Sequence, residues 1–196
     1  YGGVVPEIAS RKHIEAIYAL ADLHLSLSIP GKTMEVFGSS WGDYISRVKD
    51  NWESTVTGAD TVLIAGDISW CMNLEEGLED FRFLDSLPGK KIILKGNHDY
   101  WWATKKKSDE FFEKYSLNTL NILHNNTYTA GDFAICGTRG WFNDESQQNT
   151  VGGTAVDYQK IVNREAMRLK MSLEDGKRLQ NEAAARGDSS DWCHHL

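Results

Sequence analysis

Three short, nearly continuous apolar runs, Ala16 to Ala21, Thr61 to Ala65 and Lys91 to Leu94, each end close to a polar motif. The motifs are Asp22-Leu23-His24, Gly66-Asp67 and Gly96-Asn97-His98-Asp99. Runs of this length and apolarity, bounded by turn residues, read as strands buried on both faces, the habit of parallel sheets. Parallel strands need crossover helices, and the intervening segments provide them. Trp41, Tyr44, Ile45, Val48, Trp52 and Val56 recur at steps of three and four, as do Leu74, Leu78, Phe81 and Leu84 before Pro88-Gly89. The first half is therefore expected to be βαβαβ. In such sheets ligands collect beyond the carboxyl ends of the strands, where all three motifs fall.

Length and composition set the remaining bounds. A chain of 196 residues with a 41% hydrophobic share can bury one sizeable core, so a single domain over 1–196 is expected. The net charge of −7 argues against a broad basic surface for nucleic acid, while an anionic substrate could still be drawn by bound metal. Cys71, Cys136 and Cys193 are odd in number and widely spaced, neither a disulfide framework nor a zinc pattern. A reducing, cytoplasmic setting fits best. Residues 1–14 carry Glu7, Arg11 and Lys12 without a long apolar stretch, and read as a lead-in rather than a signal or membrane anchor.

Beyond the third motif, Tyr100-Trp101-Trp102 and Lys105-Lys106-Lys107 precede a helix through Phe111, Phe112 and Tyr115. Thr127 to Thr129 and Phe133 to Cys136 flank Gly131-Asp132 as a hairpin, expected to continue the sheet with antiparallel character. From Asp157 to Arg186 a long amphipathic helix is expected, with Val162, Ala166, Leu169 and Leu173 as its apolar positions. Residues 187–196 read as a polar tail.

The motif residues comprise carboxylates, imidazoles and an amide oxygen, a ligand set suited to hard or borderline divalent metals. Asp22 and His24 are candidate ligands of one ion, Asn97 of a second, and Asp67 the candidate bridge; two-metal sites hold their ions roughly 3.5–4 Å apart. Alternation is expected to turn Asp22 and His24 to the same side, with Leu23 opposite. A water between two such ions supplies hydroxide near neutral pH. His98, beside Asn97, has the ordinary pKa range of a proton donor to a departing alkoxide. Asp99 either orients His98 or anchors the turn.

These residues resemble the calcineurin-like metallophosphoesterase family, whose motifs run DxH, GD and then GNH followed by D or E. The match is close from Ala16 to Tyr100. The stretch Leu123 to Trp141, with Gly137-Thr138-Arg139-Gly140-Trp141, looks like a bacterial branch labelled as phosphohydrolases or serine/threonine phosphatases. The resemblance implies an α/β fold, a β-sandwich flanked by helices. It also implies a binuclear centre of the Mn, Fe or Zn class at Asp22, His24, Asp67 and Asn97, a general-acid role for His98, and a phosphomonoester or phosphodiester substrate.

Two departures matter. Where the protein phosphatase branch has an aspartate three residues after the GD aspartate, this chain has Trp70. The family also closes with a lone histidine and a GHxH stretch, and no Gly-His-x-His occurs here. The domain is accordingly expected to be C-terminally incomplete, without the last part of its sheet. The alternatives are then a non-catalytic binding module on the same fold, or an inactive truncated form.

Plainer readings are favoured elsewhere. His194-His195 lack a preceding strand, His124 closes a run with a turn, Arg139 serves a salt bridge before a phosphate, and the lysine run is a solvated helix start. Trp101 and Trp102 are expected in the core rather than against a substrate base, and His13 is given no function.

Overall fold

The computed structural model describes residues 15–29, 31–140 and 158–186. The expectations for the lead-in, the polar tail, Trp141, Cys193 and His194-His195 lie outside them. Strands β1 (Ile17–Leu20), β2 (Thr61–Ile64), β3 (Lys90–Ile93) and β4 (Leu120–Ile122) form one sheet in the order β1-β2-β3-β4, every pair parallel. Helices α1 (Tyr44–Thr55), α2 (Leu78–Ser86) and α3 (Lys105–Lys114) make the crossovers. This is the α/β arrangement of parallel sheet and flanking helices that the apolar runs predict.

Packing follows the apolar stripes. Tyr44, Trp52 and Val56 of the first crossover are buried; Trp52 and Val56 join a core with Val62, Ile64, Phe81, Leu84 and Ile93, and Ile45 and Val48 pack partly against it. Helix α2 begins at Leu78, later than its stripe implies, because Asn73 Oδ1 accepts the Glu76 N–H and the Glu76 carboxylate accepts the Met72 N–H. These bonds close a turn ahead of the helix; Leu74 stays buried without being helical. The lysine run opens α3 beside the Thr104 cap, with Lys105 paired to Asp109 at 2.7 Å. That is the solvated start its charge predicts.

Two features differ from the expectations. The hairpin β5 (Tyr128–Ala130) and β6 (Phe133–Ile135) turns at Gly131-Asp132 as expected, yet it is a separate two-stranded sheet. The fourth place in the main sheet goes to β4, parallel to β3. Hydrogen bonds to helix α4 (Tyr158–Ala185) hold the hairpin instead: Thr127 N–H donates to Asp175 and Thr127 Oγ1 to the Ser172 carbonyl. Helix α4 is present, but its inner face is not the predicted one. Ile161, Glu165, Ser172 and Ala183 are buried, whereas Leu169 and Leu173 are 39% and 38% exposed. The helix packs by donating to and accepting from loop backbone, so its polar residues face inward.

Lys91 is fully buried on β3, donating to the Leu87 carbonyl and to Thr119 Oγ1. Burial pushes its ammonium from the usual 10.5 down to about 8, with Asp85 opposing the shift. Because the folded pKa lies below the unfolded one, the unfolded chain binds more protons between pH 8 and 10.5, and stability should rise with pH across that window. The expected gain is about 3 kcal/mol. Urea denaturation of the parent and of Lys91→Met at pH 7.5 and 10.5 checks this; the parent should gain stability relative to the variant, and parallel pH profiles would refute it.

Candidate metal centre

The loops that follow β1 and β2 do not diverge when the strands end. Asp22 N–H donates to the Gly66 carbonyl, His24 N–H to Asp67, Leu25 N–H to Ile68, and Trp70 N–H back to Leu25. This ladder continues the parallel pairing past the strands and sets Asp22-Leu23-His24 beside Gly66-Asp67. The third motif closes against the second. A Cβ on Gly66 would meet the Gly96 backbone at 2.5 Å, and one on Gly96 would meet Asp67 N at 2.2 Å. Only glycine admits this approach at either position.

The side chains of Asp22, His24 and Asp67 converge, with one ligand atom from each lying within 4.8 Å of the others. His24 Nε2 is 3.7 Å from Asp22 Oδ1 and 3.9 Å from Asp67 Oδ2. Both spans are too long for hydrogen bonds and suit an ion between the groups. Two carboxylates and an imidazole form a donor set that fits a divalent cation. Asp22, His24 and Asp67 all have positive φ, of 59°, 45° and 52°. Left-handed backbone at three neighbouring non-glycine residues costs free energy and clusters at functional sites. It also replaces the strand alternation expected to aim Asp22 and His24; Leu23 between them is buried.

Each of these loops is held from outside. The Tyr44 hydroxyl of α1 donates to the His24 carbonyl at 2.8 Å, and burial, with the Asp80 charge, pushes that phenol up to about 12. Asp80, wholly buried on α2, accepts from Leu27 N–H and from Ser69 Oγ, tying together the loops after β1 and β2. Burial raises the Asp80 carboxyl above its usual range, a shift that Ser69 and the Leu27 amide oppose. Trp70 stacks on the His24 ring, with centroids 4.7 Å apart and planes 20° apart. His24 Nδ1 is buried without a hydrogen-bond partner, so the indole fixes the ring where a hydrogen bond ordinarily would.

Asp99 accepts four hydrogen bonds: from Asp67 N and Gly96 N on Oδ2, and from Ile68 N and Trp101 Nε1 on Oδ1. Of the two roles open for it in the sequence, these bonds are those of an anchor for the turns. His98 is held through its backbone, whose N–H donates to Asp67 Oδ1 at 2.8 Å. Its ring stands 5.8 Å from His24 and 5.5 Å from Trp70. Trp101 is in the core against Phe81, as expected, and Trp102 packs partly against that core. His124 makes its turn through its backbone, donating to Asn126 Oδ1.

A cleft of about 400 Å³ opens at this point, lined by Asp22, Asp67 and Asn97 together with Lys95 and Arg139. Asn97 is exposed on its wall. Desolvation lowers both the Lys95 ammonium and the Arg139 guanidinium from their usual ranges; crowding by Arg139 adds to it for Lys95, and the Glu165 charge opposes it for Arg139.

With the site laid out, the family follows. A family model described as calcineurin-like phosphoesterase matches residues 16–181. The chain belongs to the calcineurin-like phosphoesterase family. A solved structure with which it shares 19% identity is a protein of unknown function, AQ665, from Aquifex aeolicus; the TM-score is 0.43, over 76% of this chain and 72% of that one. No curated protein matches. Family membership agrees with the motifs at the three strand ends and suggests a divalent metal and a phosphate-ester substrate for a member of this family.

Sequence reasoning passed over Tyr44, Asp80, Lys95 and Glu165. The first two sit inside apolar stripes and looked like filler. Lys95, directly between a strand and a glycine of the third motif, was the most detectable.

Proposed function

We propose that this calcineurin-like phosphoesterase hydrolyses a phosphate ester with divalent metal held by Asp22, His24, Asp67 and Asn97. The convergence of Asp22, His24 and Asp67, the two carboxylates of which line the cleft, carries the reading. Two ions of the Mn, Fe or Zn class are the expected complement, and Asp67 would be the ligand shared by both. Divalent metal there would supply hydroxide from water near neutral pH and polarise the phosphoryl group.

The chain's own residues supply the rest. Asp22 and Asp67 balance cation charge, His24 is fixed by Trp70 in the orientation that faces both carboxylates, and Asn97 adds a neutral oxygen from the adjoining loop. His98, with its backbone tied to Asp67, is the proton donor to the leaving oxygen in this reading. Asp99 keeps the Asp67 and Gly96 loops in register. One domain suffices for this chemistry. A reducing, cytoplasmic setting is consistent with Cys71 and Cys136, both free thiols, and among the described residues no helix is long and apolar enough to cross a membrane.

Hydrolysis of p-nitrophenyl phosphate and its bis ester, followed with and without Mn²⁺, tests the reading alongside calorimetric Mn²⁺ titration. Turnover should require Mn²⁺ and stop with EDTA. Failure to bind Mn²⁺ at all, with the fold intact by circular dichroism, would leave the scaffold reading in its place.

A further inference from the structure

The cleft carries a feature that metal binding does not use. Lys95 lines it from the end of β3 and Arg139 from the loop after β6, and both also line a small cavity behind it with His124, Glu165 and Arg168. Among the described residues the Lys95 ammonium makes neither an ion pair nor a hydrogen bond, although Asp22 and Asp67 line the same cleft. Glu165, only 4% exposed, acts on it through its charge without forming an ion pair with it. Its Oε2 accepts from Thr138 Oγ1 at 2.7 Å, and its Oε1 from Arg168 at 2.8 Å and from Arg164 at 3.4 Å. Thr138 is thereby pinned beside Arg139, so a buried carboxylate on α4 braces the wall that presents the guanidinium.

Lys95, half-buried and outside any ion pair among the described residues, stands on one wall with Arg139, and two cations so placed raise the potential of that wall toward anions. Metal held at Asp22 and Asp67 would serve the phosphoryl group under attack, leaving this wall to a different group. A cleft of about 400 Å³ is at the lower end of small-molecule sites, which run from about 300 to 1,000 Å³, and has room for more than one phosphate.

We propose that Lys95 and Arg139 form an anion subsite for a second phosphate of the substrate, so that the preferred substrates are phosphoanhydrides or bisphosphates rather than simple phosphomonoesters. The ammonium meets that phosphate as a point charge and the guanidinium as a planar fork. The inference rests on the phosphoesterase reading for turnover, but the subsite is a property of the wall and binds without metal.

Two measurements separate the two claims. In the first, calorimetry with pyrophosphate and with inorganic phosphate is run on the whole chain in EDTA. Pyrophosphate should bind at least about 10-fold more tightly than phosphate, and Lys95→Met and Arg139→Met should each weaken it about 10-fold, the value of one charge-assisted contact. Lys95→Arg should recover most of the loss. In the second, phosphate release with Mn²⁺ is compared for ADP and AMP; the ratio of kcat/KM should exceed about 10 and fall toward one in Lys95→Met. Equal binding of pyrophosphate by parent and Lys95→Met overturns the subsite even if turnover is robust. Loss of binding in the variants, with no turnover in the parent, upholds the subsite and overturns the catalytic reading instead.

Discussion

Asp67→Asn is expected to weaken Mn²⁺ binding by at least about 100-fold and to remove metal-dependent hydrolysis, while leaving the fold's stability within about 1 kcal/mol of the parent. Losing a partner of a ligand costs about 10–100-fold in affinity, so losing a shared ligand should cost at least the upper figure. The fold survives because asparagine keeps the oxygen that accepts the His98 N–H. The backbone also survives, since asparagine tolerates the left-handed φ of 52° at this position as well as aspartate does. What is lost is the charge facing His24 Nε2 across 3.9 Å. In EDTA the variant should be at least as stable as the parent, because one of two neighbouring carboxylates is gone. Calorimetry with Mn²⁺ and urea denaturation in EDTA check the two halves. Tight Mn²⁺ binding by the variant would end the bridging assignment.

How much of this was legible depends on the range of the interaction involved. The strands and crossovers come from local apolar periodicity: β1 and β2 fall inside the runs that predict them, and β3 starts one residue ahead of its run. The motifs were legible for the same reason: each follows a strand, and parallel topology delivers all strand ends to one edge. The face of α4 was not, because its inward residues are chosen by hydrogen bonds to the Thr127 to Thr138 segment rather than by apolarity. Leu169 and Leu173 made the more apolar stripe and lost. The aim of Asp22 and His24 was right for the wrong reason, since a left-handed backbone and not a pleat turns them. Trp70 was read as the absence of an aspartate; only the stacking distance gives it a role.

The four bonds to Asp99 lead to the second large effect. Asp99→Ala is expected to cost about 4 kcal/mol of stability, a large share of the 5–15 kcal/mol typical of a domain. The substitution strips partners from three backbone amides and the Trp101 indole, and each buried donor left unsatisfied costs about 1–3 kcal/mol, less than additively because water enters. Asp99→Asn should lose about half as much. Its remaining oxygen still serves Asp67 N and Gly96 N, but the new amide nitrogen turns a donor toward Ile68 N and Trp101 Nε1. Mn²⁺ affinity should fall with stability in both variants, because the same carboxylate holds Asp67 in place against Gly96. Urea denaturation gives the stability and calorimetry the affinity. The competing role predicts a different pattern: if Asp99 acted by orienting His98, both variants would stay within about 1 kcal/mol of the parent and would shift only the basic limb of the pH–rate profile. The absence of His98 from the partners of Asp99, and the engagement of both its oxygens by two donors each, favour the first pattern.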